Sequence, residues 1–192
     1  MSPILWHDGA LDRLDRGDVG PVVWRVDDPG RGRRAGLASS LVAHLADRDT
    51  ASVRLARSVA GAPLIVDPAG WHLGLAGRGG QCLIAVAPCP IAVDREVIGD
   101  DPPLWDMLTM HEAEALQALD PKDRPRAWLR RWTIKEAHAK LTGEPRRLAP
   151  ETIETRVIDR DFATAACEGV SHCWTRERDG AIDTVACWKD AT

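Results

Sequence analysis

Two short segments concentrate the side chains able to do chemistry. In Ile91-Ala92-Val93-Asp94-Arg95-Glu96 an apolar run ends in two carboxylates. In Trp132-Thr133-Ile134-Lys135-Glu136-Ala137-His138-Ala139-Lys140-Leu141-Thr142-Gly143 a carboxylate sits among two amines. Along a strand, Asp94 and Glu96 point to the same face. Two like charges about 4 Å apart repel by about 1 kcal/mol in water and about 4 kcal/mol at an effective dielectric of 20, so a partly buried pair wants a cation. Mg²⁺ is the natural candidate, because this hard ion binds through one or two carboxylates and completes its shell with water and phosphate oxygens. A solvated turn in which Arg95 offsets the acids is the alternative.

In the second segment the i, i+4, i+8 spacing puts Trp132, Glu136 and Lys140 on one helical face and Ile134, Ala137 and Leu141 on another. Gly143 and Pro145 supply the stop. Spacing alone favours a bland assignment, with Thr133 and Glu136 as a capping box and Glu136 with Lys140 as an i, i+4 ion pair worth roughly 0.2–0.5 kcal/mol.

The elements that must position these segments are short strands and helices in two similar runs. Pro21 to Val26 reads as a strand ending in Asp27-Asp28-Pro29-Gly30, followed by Arg31-Gly32-Arg33-Arg34 and a helix through Leu37, Leu41, Val42 and Leu45. Three arginines at a helix entrance can meet phosphates or form a solvated basic corner. Strands are expected at Val53-Arg54-Leu55 and Leu64-Ile65-Val66, and a hairpin from Trp71–Ala76 to Cys82–Val86 across Gly77-Arg78-Gly79-Gly80. Those glycines fit a phosphate cradle or plain turn chemistry. Thr109 and Glu112 form a second capping-box pattern, opening a helix through Leu116 and Leu119, with His111 exposed. A helix over Arg124–Arg131 leads into the Trp132 segment. Ile153–Ile158 is a strand, and Ser171–Arg178 with Ala181–Trp188 form a hairpin about Asp179-Gly180.

The 192 residues, 44% of them apolar, suit one compact domain or two small lobes. A net charge of −4 with dispersed basic residues gives no electrostatic case for nucleic acid as a partner. Five cysteines without a Cys-x-x-Cys pair read as small core residues of a reducing cytosol. The N-terminus carries acids where a secretion signal has bases, and no apolar run reaches the roughly 20 residues of a membrane span, so a cytoplasmic protein with no membrane partner is expected. His72, His138 and His172 lack neighbours at zinc-ligand spacing.

Taken together, the two segments resemble the phosphopantetheinyl transferases of the surfactin-synthetase type. Those enzymes show an apolar strand running into Asp-x-Glu, here Asp94-Arg95-Glu96, and then Trp-(Ser/Thr)-x-Lys-Glu-(Ala/Ser)-x-x-Lys-x-x-Gly, here Trp132 to Gly143. The likeness continues through Val23–Asp27, the Arg-led helix, Gly61-Ala62-Pro63 and the closing hairpin. It implies an α+β fold of two pseudo-symmetric lobes, residues 1–90 and 91–192. Each lobe packs helices on a small antiparallel sheet, and the active site lies in the cleft between them. It implies transfer of the 4′-phosphopantetheine arm of coenzyme A to a serine of an acyl or peptidyl carrier protein, with release of 3′,5′-ADP, by a monomer. By the same resemblance Asp94, Glu96 and Glu136 would hold Mg²⁺, and Glu136 would take the serine proton. Lys140 would sit on the pyrophosphate, and Lys135 and Trp132 would line the adjoining cleft.

Two positions depart from that pattern. The base of the usual Gly-(Lys/Arg)-Pro is Ala62, and the usual Ser-His of the first hairpin falls on Gly74-Leu75. Charge-assisted bonds to phosphate are worth roughly 1.5–3 kcal/mol each, so losing two corresponds to about a hundredfold to ten-thousandfold in affinity. Arg31, Arg33, Arg34 and Arg78 are the candidate replacements. The departures leave open a relative repurposed for another substrate in specialised biosynthesis, and a non-catalytic protein that docks a carrier protein.

Overall fold

A computed structural model describes residues 4–15 and 20–189. Strands β1 (Leu5–Asp8), β2 (Val22–Asp27), β5 (His72–Arg78) and β6 (Gln81–Ala87) form one sheet in the order β1-β2-β6-β5. Strands β7 (Ile91–Val97), β8 (Glu154–Val157), β9 (Phe162–Ala166), β10 (Val170–Arg178) and β11 (Ala181–Trp188) form a second, antiparallel sheet ordered β7-β11-β10-β9-β8. A two-stranded ribbon of β3 (Arg54–Arg57) and β4 (Pro63–Asp67) stands apart from both. Helix α1 (Arg34–Ala46) covers the first sheet; α3 (Arg124–Leu141), flanked by α2 (Met110–Gln117), covers the second. The result is the expected two-lobed α+β architecture.

Strand alternation builds the layers. In β2 and β6, Val22, Trp24, Ile84 and Val86 face α1, where they meet Leu41 and Val42. Their neighbours Val23, Leu83 and Ala85 face the other way, onto Ile91, Val93, Val185 and Cys187 of the second sheet. The opposite face of that second sheet, with Ala186, Cys173, Ala163 and Ala165, packs on Ile134 and Ala137 of α3. The order is therefore helix, sheet, sheet, helix. Each fully buried aliphatic in it contributes about 1.5–3 kcal/mol of transfer free energy.

Several expectations are revised. The Arg124–Arg131 and Trp132 segments are one 18-residue helix, α3, with Pro125 in its first turn. Thr133 is thus mid-helix and no cap: its hydroxyl hydrogen-bonds Arg130 O at 2.9 Å and Thr184 Oγ1 at 2.7 Å. The Thr109–Glu112 capping box is present in full. Strands β5 and β6 extend further than expected and leave only Gly79-Gly80 as their turn, both at positive φ, as are Asp179 and Gly180 in the other hairpin. Strands β1 and β9 carried no clear signal; β1 lies parallel to β2, so the first sheet has one parallel edge.

Candidate active site

Asp94 and Glu96 lie on β7 opposite Thr184 and Ile182 of β11. They face α3, and Arg95 between them turns to the opposite face of its own sheet, where it binds the buried Asp183 across from it on β11 and donates to Arg78 O of the first sheet at 3.2 Å. The strand period therefore removes Arg95 from the acids it separates in sequence. On α3, Lys140 turns toward β7 and places its ammonium 2.6 Å from Asp94 Oδ1 and 3.3 Å from Val93 O. Glu136, one turn earlier, raises the charge density further: Asp94, Glu96 and Glu136 feel one another electrostatically.

All three carboxyls are held above their ordinary range. Burial is the main cause for Asp94, with Lys140 opposing it. For Glu96, burial is reinforced by Asp94 and opposed by Arg78 and Lys140. For Glu136, burial and the Asp94 charge both push upward against Lys140. A base whose proton affinity is raised toward neutrality is better suited to accepting a proton from a hydroxyl.

Asp94 Oδ2 is sealed from solvent and has no hydrogen-bond partner. An orphaned carboxylate oxygen among two further acids has the donor chemistry of a hard divalent ion. Among the described residues, however, no three His, Cys, Asp or Glu side chains stand close enough to enclose a metal ion. The Lys140 ammonium on Asp94 and the Arg78 guanidinium, 3.2 Å from Glu96, are the cations at these acids.

Beyond Val93 and Lys140 opens a cleft of about 790 Å³. Its lining includes Gly61-Ala62-Pro63, β4 and the start of β5, Pro90–Val93 with Lys140, Leu141 and Gly143, and Arg31 and Arg34 at the entrance to α1. Asp94, Glu96 and Glu136 are not among the residues that line it; Lys140, which is, pairs with Asp94.

A model of the 4′-phosphopantetheinyl transferase superfamily matches residues 90–187, just over half of the 192-residue chain. The chain belongs to this superfamily. No curated protein matches it closely enough to add to that assignment. In this transferase the match begins at the approach to β7 and ends in β11, so it contains Asp94, Glu96, Glu136 and Lys140 together.

The remaining candidates separate. Arg34 lines the cleft, but its Nε is 2.9 Å from Asp28 Oδ1 and its second nitrogen binds the other oxygen of the same carboxylate. Arg31 lines the cleft without a partner among the described residues, and Arg33 is exposed outside its wall. Lys135 does not reach the cleft. Its ammonium lies 2.7 Å from the equally buried Glu112 and also donates to Pro150 O and Ile153 O. The reason is helical geometry: one residue before Glu136 is a rotation of roughly 100°, which carries Lys135 away from β7. Trp132 likewise packs on Trp128, with ring centroids 5.7 Å apart, in a cluster under α2.

The glycines of the first hairpin have packing roles. A Cβ at Gly77 would lie 2.2 Å from the Arg34 guanidinium, and one at Gly79 would lie 2.5 Å from Val97 Cγ2. At Gly74 a Cβ would be 3.1 Å from Ala92 Cα, because β5 crosses β7 there. All five cysteines are free, with burial pushing Cys82 up to about 11 and Cys173 to about 12. His138 is buried between Ser171 and the Cys167 carbonyl. Arg57, at the end of β3, lines the cleft and carried no motif in the sequence; its only signal was its place four residues before Gly61.

Proposed function

We propose that this transferase is of the surfactin-synthetase type and moves the 4′-phosphopantetheine arm of coenzyme A onto a serine of an acyl or peptidyl carrier protein, releasing 3′,5′-ADP. What supports this reading is that Lys140, which lines a large cleft, pairs with the buried Asp94, while Glu96 and Glu136 both feel the Asp94 charge and all three carboxyls have raised proton affinity. The reaction is attack of a hydroxyl on the β-phosphorus of a pyrophosphate. It needs in-line positioning, neutralisation of the leaving phosphate and removal of the serine proton.

The donors offered to Mg²⁺ would be Asp94, whose Oδ2 is unpartnered, with Glu96 and Glu136, although in the described arrangement the three do not by themselves enclose an ion; when bound, the ion would neutralise pyrophosphate charge. Glu136 accepts the serine proton; its burial beside Asp94 makes it the more basic for that task. Lys140 reaches the cleft wall and is the ammonium for the departing 3′,5′-ADP phosphate, while its bond to Asp94 fixes its reach. Arg78 holds Glu96 in place, and Arg31 and Arg34 meet the nucleotide at the α1 entrance, with Arg33 beside them outside the wall. We assign the lobes to residues 1–90 and 91–192, and expect a cytoplasmic monomer.

Incubation with coenzyme A, Mg²⁺ and a panel of apo carrier proteins should add one arm to a carrier serine, read as a mass gain, and Glu136→Gln should abolish it in a folded protein. Absence of a mass gain on every carrier, with the protein folded, refutes the transfer. The Gly74 contact with Ala92 favours one second reading, a donor other than coenzyme A in specialised biosynthesis, because it closes the position of a usual anchor. That version requires calorimetry to show no coenzyme A binding.

A further inference from the structure

The chain has 29 acidic residues, yet the described lining of the cleft contains no Asp or Glu. Its charged members are Arg31, Arg34, Arg57 and Lys140. Two of these already hold a carboxylate, Arg34 through Asp28 and Lys140 through Asp94. The other two hold none. Arg57 is exposed and donates from Nη1 to Gly61 O at 2.7 Å, which ties its guanidinium to the β3–β4 turn; its remaining N–H groups have no partner among the described residues. Arg31 has no hydrogen bond or ion pair among the described residues.

We propose that Arg57, assisted by Arg31, is the anion anchor of the cleft and binds the phosphate of the donor that lies away from Lys140. The inference rests on the coenzyme A reading above. Coenzyme A carries two separate anionic groups, a pyrophosphate and a phosphomonoester on its ribose. Lys140 and the neighbouring acids serve the first, at the α3 end. The second needs a cation other than Lys140, and the turn that carries Ala62 offers none of its own. Arg57 reaches that turn from the adjoining strand, and its guanidinium fork matches a phosphomonoester in two directions. A single exposed arginine is ordinary. An acid-free lining that holds one guanidinium tied to a backbone carbonyl, with a second at Arg31 unpaired among the described residues, suits an anion.

The test is calorimetric titration with coenzyme A and with dephospho-coenzyme A, which lacks the ribose phosphate. It uses the wild-type protein and the variants Arg57→Ala, Arg31→Ala and Arg54→Ala, the last removing another exposed arginine of β3 that does not line the cleft. Each variant is melted first to verify the fold. Arg57→Ala should weaken coenzyme A about tenfold to a hundredfold and leave dephospho-coenzyme A unchanged. Arg31→Ala should act in the same direction, and Arg54→Ala should move neither ligand. If Arg57→Ala weakens both ligands equally, or neither, while the wild type binds coenzyme A, the anchor assignment is overturned and the transfer reading survives. If the wild type binds neither ligand, both are overturned.

Discussion

The Lys140 ammonium stands 2.6 Å from Asp94 Oδ1, joining the last turn of α3 to the end of β7. Asp94 is almost fully buried, and its other carboxylate oxygen has no partner. Lys140 also lines the cleft, so the pair ties the cleft to a buried carboxylate, and several consequences can be measured.

Lys140→Ala should lower stability by about 1–3 kcal/mol, since it leaves the Asp94 charge buried and unpaired. Adding Asp94→Asn to it should recover a good part of that loss without recovering transfer. Urea denaturation of both singles and the double reads the coupling; strictly additive losses would show that the two groups do not interact.

The acids themselves oppose folding at neutral pH. Glu96 and Glu136 have folded proton affinities above the ordinary 4.5, so the native state keeps protons that the unfolded chain has released. Stability from this source is full below the unfolded value and falls as pH rises through the window above it. Glu136→Gln should therefore raise the melting temperature at neutral pH, by the equivalent of roughly 0.5–2 kcal/mol, while removing activity. A Gln variant that melts earlier than wild type contradicts the linkage.

Added Mg²⁺ should raise the melting temperature at neutral pH, with about 2.7 kcal/mol of stabilisation at a hundred times its Kd. The effect should fade on acidification, as protons compete for Asp94, Glu96 and Glu136, and should shrink in Asp94→Asn. A Mg²⁺ response that persists in that variant at full size places the ion elsewhere.

Lys135 and Glu112 form an ion pair of 2.7 Å in which both side chains are almost inaccessible. Glu112 also caps α2 at the Thr109 N–H and accepts from Thr155 N at 2.9 Å, which ties α2, α3 and β8 together. Lys135→Ala should cost about 3–5 kcal/mol through the stranded carboxylate. Thermal melts and coenzyme A titrations should show lost stability with unchanged affinity in whatever fraction stays folded. The reverse pattern would return Lys135 to the cleft.

Restoring the usual Ser-His with Gly74→Ser and Leu75→His should fail. The serine Cβ would press on Ala92 at 3.1 Å, costing about 1–3 kcal/mol, and Leu75 packs against the core cluster under α1. A double variant as stable as wild type, with tighter coenzyme A binding, would show that β5 and β7 yield there.

The sequence by itself determined the two chemical segments and most of the elements that carry them. An apolar run ending in Asp94-Arg95-Glu96 sets both acids on one face by the two-residue period of a strand, and Glu136 with Lys140 share a helical face by the four-residue recurrence of a helix. Capping at Thr109 and the turn at Asp179-Gly180 were legible for the same reason: each is a rule about neighbours in the chain. Only the tertiary structure decided the partners. Lys140 pairs with Asp94 across 46 residues in preference to its neighbour Glu136, and Arg95 leaves the acids for Asp183, 88 residues away. Lys135 turns inward to Glu112, and Arg57 comes to line the cleft from a strand that bore no motif. A charged side chain at the end of a long, flexible stem takes the partner that burial leaves within reach, and which groups are buried together is fixed by how sheets and helices stack rather than by their spacing along the chain.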